Sequence, residues 1–106
     1  MELVSLVYRL TEHFPSEERF GLTAQIRRSA VSIPSKIAEG AARRTKREFA
    51  AFLHIAQGSL SELDTQLELS VMLAHLRPEE HQPAEAMMQR IDKMLSRLIQ
   101  TLRGKS

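Results

Sequence analysis

The sequence predicts an all-α protein, folded as an antiparallel up-down-up-down four-helix bundle. Apolar residues recur at helical spacing in four separate segments. The apolar set is mostly Leu, Ile, Ala and Met, which helices favour, while aromatic residues make up 5% and Trp is absent. Only four Gly and four Pro are available for turns. A chain of 106 residues is enough for one core, so residues 1–106 are expected to form one domain.

The first helix is marked by Leu3, Val7, Leu10 and Phe14, spaced four, three and four. "PSEERFG" follows as a turn or a single helical turn that Gly21 ends. The second helix starts near Thr23, and Leu22, Ile26, Ala30, Ile33 and Ile37 keep their phase through Pro34. An internal proline removes a backbone hydrogen bond and costs about 3 kcal/mol, yet a loop would break the phase. Pro34 is therefore expected inside a kinked helix, with Ser29, Ser32 and Ser35 supplying hydroxyls to loosened backbone groups. Gly40 is placed to end that helix as a left-handed cap.

"TKRE" opens the third helix as a capping box, in which Thr45 caps the Glu48 amide and Glu48 reaches back to the Thr45 amide. Phe49, Leu53, Ala56, Leu60, Leu63, Leu67, Ser70 and Ala74 then alternate four and three, giving a helix over Lys46–Leu76 stopped by Pro78. The fourth helix is expected after "RPEEHQP", along Ala84, Met88, Ile91, Leu95, Leu98 and Leu102. Both long helices carry apolar residues beyond one stripe: Phe52, Ile55, Leu69, Val71, Met72, Leu73 and Leu76 on the third, and Met87, Met94 and Ile99 on the fourth. A second apolar face calls for a partner or for a core broader than a strict heptad seam; self-association is the favoured reading, with Phe52, Ile55, Leu69, Met72 and Leu73 as the candidate oligomer interface, some of them core instead.

The net charge of +2 is unevenly spread. Residues 1–20 carry −2, residues 27–47 carry +6, and residues 48–77 carry −3. Arg27, Arg28, Lys36, Arg43, Arg44, Lys46 and Arg47 are the candidate nucleic-acid contacts, because clustered cations attract phosphate. The alternative is a solvated surface whose charges meet acidic segments of neighbouring helices. Glu39 is the only acid in the block and sits near the negative end of helix two, so it needs a cationic partner. Arg43, Arg44 and Arg28 are the candidates.

Chemistry-bearing patterns are lacking. With no cysteine there is no disulfide, thiolate metal site or thiol nucleophile, which suits a reducing cytosol. None of His13, His54, His75 or His81 has Asp or Glu three residues before it, so the paired Glu-x-x-His of di-iron bundles is missing. Glu62 and Asp64 point to different sides of a helix, and Ser59 and Ser61 have no nearby His to activate them. With Gly58, those serines suit close helix approach. No enzyme, cofactor or metal is expected. No segment reads as a signal peptide or spans a bilayer, and the expected location is cytoplasmic.

"FPSEERFGLT", "IRRSAVSIPSKIAEG" and "EFAAFLHIAQGSLSELDTQL", between Phe14 and Leu67, closely resemble the four-helix-bundle proteins encoded in intervening sequences of bacterial large-subunit ribosomal RNA genes. That family looks related to the accessory variability protein of diversity-generating retroelements, which partners a reverse transcriptase and binds nucleic acid. The resemblance implies a closed homopentamer of antiparallel bundles, a continuous kinked helix through "SIPSKIAEG", and a structural role for Glu39 in "AEG". It also implies a reverse transcriptase as partner where one is encoded nearby. Ala41 and Ala42 stand where aromatic or glycine residues are common in the family, so base stacking is not expected there.

Two functions follow. One is a non-enzymatic oligomeric module that binds RNA or DNA non-specifically, five copies of the basic block concentrating about 30 positive charges. The other is a protein-interaction scaffold with no nucleic-acid role.

Overall fold

The computed structural model describes residues 1–104, and within them the chain is four helices with no strand. The helices are α1 (Glu2–Thr11), α2 (Leu22–Ala41), α3 (Lys46–Met72) and α4 (Pro78–Leu102), with a single 3-10 turn at Ser16–Glu18. Around the bundle, α1 packs on α2 and α4, and α3 packs on the same two helices from the other side.

The core has two connected parts. Leu3 and Val7 of α1 meet Ile26, Ala30 and Ile33 of α2, Leu60, Leu63 and Leu67 of α3, and Ala84 and Met88 of α4. Beyond the reach of α1, Leu53, Ala56, Leu95 and Ile99 form a second cluster, joined to the first through Ile37 and Ile91. The split follows from length. At the standard rise the 10 residues of α1 span about 15 Å and the 27 of α3 about 40 Å, so the start of α3 and the end of α4 have no α1 beside them.

Pro34 lies inside α2, as the unbroken apolar phase requires. The serines around it divide their work: the Ser35 hydroxyl donates to the Val31 carbonyl at 2.9 Å, while Ser32 shares a 2.8 Å hydrogen bond with Ser59 of α3. Ser59 is therefore a buried, satisfied contact between helices. Gly58 is not a packing residue, since a Cβ there would meet nothing within 4 Å.

Several boundaries differ from the sequence expectation. Phe14 lies beyond α1, which ends at Thr11, and is buried with its ring 5.6 Å from that of His75. Gly40 is not a left-handed cap; α2 continues to Ala41, and its C-cap Ala42 is right-handed at φ −83°. Glycine is needed at position 40 for space, because a Cβ would fall 2.7 Å from Phe52 Cβ and 2.9 Å from Phe49 Cδ1.

Helix α3 stops at Met72, four residues short of Leu76. Its end is a Schellman turn: the His75 amide donates to the Ser70 carbonyl at 2.9 Å and the Ala74 amide to Val71 at 3.0 Å. Ala74 occupies the left-handed position at φ 62°, normally glycine's, and is exposed where the apolar rhythm placed it in the core. The turn instead brings Leu76 inward, to 3% exposure.

Helix α4 begins at Pro78 itself, ahead of the stretch expected to precede it. A proline at the first helical position loses no bond, because that amide has no acceptor within the helix. Pro83 is then carried inside α4. Along α4 the buried stripe is Ala84, Met88, Leu95 and Ile99, so Ile99 is core and Leu98 faces outward.

Candidate nucleic-acid interface and exposed apolar face

The seven basic residues of the 27–47 block have different fates. Arg27 is tied to α1: its Nε donates to Thr11 Oγ1 at 2.8 Å, its Nη2 to the Tyr8 carbonyl at 3.3 Å, and its guanidinium lies 4.5 Å from the Tyr8 ring centroid. These contacts satisfy one carbonyl and one hydroxyl in the last turn of α1 and make Arg27 a structural strut. Arg28, one residue on, is exposed beside a groove of about 380 Å³ with Ser29, Ser32, Glu62 and Gln66.

Lys36 and Arg43 both approach Glu39. The Lys36 Nζ donates to Glu39 Oε1 at 3.0 Å, and Arg43 Nη2 stands 4.0 Å from Oε2. Lys36, which the sequence reading had not named as a partner, is thus the nearer one, and neither Arg28 nor Arg44 takes part. Arg43 also stacks 4.7 Å from the Phe52 ring centroid. Phe52, placed in the candidate interface, is half-buried between that guanidinium and Gly40.

Arg44, Lys46 and Arg47 are exposed at the start of α3. Thr45 caps that helix, its Oγ1 accepting from the Glu48 amide at 3.1 Å. The return arm of the expected box is altered: Glu48 Oε1 accepts from the Thr45 hydroxyl at 3.0 Å rather than from its amide.

Lys46 and Arg47 border a groove of about 610 Å³ together with Ala50, Ala51, His54, Leu102 and Arg103. It lies at the end of the bundle that α1 does not reach. Arg103 Nη2 is 3.0 Å from His54 Nε2. A guanidinium can only donate, so Nε2 accepts and the His54 proton sits on Nδ1 in this contact. The floor is apolar and the rim carries three full positive charges. A cluster of positive charge of this kind attracts anions. Arg103 was not among the sequence candidates; it lies 56 positions from Arg47, and only the packing of α4 on α3 unites them.

The exposed apolar residues gather elsewhere. Leu69 and Met72 of α3 and its C-cap Leu73, at spacings of three and four, are 42%, 78% and 54% exposed. Ile55 is also exposed, nearly four turns before Leu69 on α3, and Met94 and Leu98 are exposed about one turn apart on α4. Of the surplus residues, Leu76 and Ile99 are core, while Val71 and Met87 are half-buried against it.

Four helices, with Pro34 carried inside α2, agree with the four-helix architecture that the sequence resemblance implies. The family of 23S rRNA-intervening sequence proteins matches residues 1–97. The chain belongs to that family. Membership of the intervening-sequence proteins therefore takes in α1 and most of α4, which the sequence motifs from Phe14 to Leu67 had left out. No curated protein matches the chain. No helix among the described residues is long and apolar enough to cross a membrane.

Proposed function

We propose that this intervening-sequence protein is a non-enzymatic, oligomeric module that binds RNA or DNA through phosphate. The observation that carries the reading is the groove at the open end of α3 and α4, where Lys46, Arg47 and Arg103 rim an apolar floor. Aromatic side chains are missing from the rim, so binding is expected to be non-specific.

Self-assembly strengthens the reading. Leu69, Met72 and Leu73 supply the apolar face for a second copy. An antiparallel arrangement is supported by pairings that run in opposite directions along neighbouring helices: Ser32 with Ser59 and Gly40 with Phe52, then Gln57 with Ser96 and His54 with Arg103. In the ring of five that the family resemblance implies, Arg28, Arg44, Lys46, Arg47 and Arg103 would concentrate about 25 positive charges. The same apolar face favours the second reading, a scaffold for another protein, such as a reverse transcriptase encoded nearby.

Binding to generic RNA and DNA at low ionic strength separates the two. Salt-sensitive binding supports the module, and no binding leaves the scaffold. Light scattering tests the assembly: a mass well above the 12.1 kDa of one chain is expected, and a 12.1 kDa species at micromolar concentration contradicts it.

A further inference from the structure

We propose that Asp64, His81 and Glu85 form a site for a divalent transition-metal ion, zinc in particular, that clamps α3 to the first turns of α4. His81 and Glu85 are four residues apart on α4 and share one face, and Asp64 faces them from α3. One ligand atom from each lies within 4.8 Å of the other two. Zinc bonds to nitrogen and oxygen at about 2.0–2.2 Å, so ligands around one ion sit roughly 3–4 Å apart. Closing to that spacing calls for side-chain adjustment of Asp64 and His81, both half-buried, as well as of the exposed Glu85.

Three further observations point to a ligand. The Nε2 of His81 is shielded from solvent and has no hydrogen-bond partner. A shielded polar nitrogen without a partner is costly, and metal ligation is one of few ways to satisfy it. Among the described residues neither Asp64 nor Glu85 has a Lys, Arg or His ion pair, so both carboxylates are free to ligate. Asp64 and Glu85, though not His81, line a cavity of about 200 Å³ together with Ser61, Gln89 and Asp92, with room for water beside the two carboxylates.

The donor set selects the ion. Two carboxylates and a neutral imidazole balance a 2+ charge, and three protein ligands with an open position match zinc. An imidazole among only three ligands disfavours calcium and magnesium, which take oxygen. The absence of cysteine disfavours copper(I). Because the ligands come from α3 and α4, the ion would add a further tie between two helices already packed on one another and connected through the Ala74 turn.

The test is calorimetric and thermal titration of the chelator-treated full chain with Zn2+ and with Mg2+. One Zn2+ per chain is expected, and at 100 times its Kd the folding equilibrium should shift about 100-fold toward the native state. Mg2+ should do neither. Glu85→Gln, at an exposed position that spares the fold, and His81→Ala should each weaken Zn2+ binding at least tenfold, while His13→Ala should leave it unchanged. Failure to bind Zn2+ up to millimolar concentration overturns the proposal. So does undiminished binding in either Glu85→Gln or His81→Ala, or equal stabilisation by Mg2+.

Discussion

A Cβ on Gly40 would lie 2.7 Å from the Cβ of Phe52, so α2 and α3 meet there at a separation that only glycine allows. The Phe49 carbonyl oxygen, 3.2 Å from the same point, is backbone and cannot swing aside. Gly40→Ala should therefore destabilise the fold by about 1–3 kcal/mol, the cost of overpacking. The midpoint of chemical denaturation checks this. An unchanged or raised midpoint would mean that the helices are not in close contact at this point.

Gly58 gives the opposite case within α3. It is helical and exposed, and nothing lies within 4 Å of the added atom. Gly58→Ala should stabilise by about 0.5–1 kcal/mol, by removing the conformational freedom of the unfolded chain. A loss of stability would show that another surface packs on this position.

Ala74→Gly should also stabilise. A left-handed alanine is disfavoured by roughly 1–2 kcal/mol, of which the greater freedom of unfolded glycine returns part. A rise of about 0.5–1 kcal/mol in unfolding free energy is expected. No rise would contradict the Schellman geometry at the end of α3.

Glu80 makes stability depend on pH. The Arg77 amide donates to its Oε1 at 2.9 Å, and that hydrogen bond, followed by the Arg77 side chain, holds its carboxyl below the usual 4.5. A depressed carboxylate contributes stability above its unfolded value and loses it as pH falls through the folded one. Glu80→Gln keeps an acceptor without the charge. The wild type should therefore be more stable at neutral pH, and the two should converge as pH drops below 4.5. A gap that is the same at both ends of the range would rule this out.

Much of the fold was legible. Thr45 announces α3 because a hydroxyl three residues before Glu48 has one obvious donor to satisfy, and the apolar phase carried α2 through Pro34. The misread points are those where a residue type has two physical uses. Gly40 served space rather than a left-handed angle, and Ala74 took that angle with no Gly or Asn to announce it. Pro78 both ends the turn and starts α4.

The sites were less legible because they join distant positions. No local pattern tells that Arg27 will be held by Tyr8 and Thr11, or that Arg103 will complete a groove begun at Lys46. The four-residue spacing of His81 and Glu85 was visible, yet a search for Glu-x-x-His passes over it, and Asp64 joins only through the packing of α3 on α4.

The central claim is that phosphate is held at the Lys46–Arg47–Arg103 groove. It is tested most directly by the salt dependence of single-stranded RNA binding, for the wild type and for Lys46→Gln/Arg47→Gln/Arg103→Gln. Each phosphate neutralised contributes about −0.7 to the slope of log K against log salt. The account predicts salt-sensitive wild-type binding and a slope shallower by roughly 2 in the triple variant. Wild-type binding that is absent at low salt, or a slope that the three substitutions leave unchanged, would contradict it.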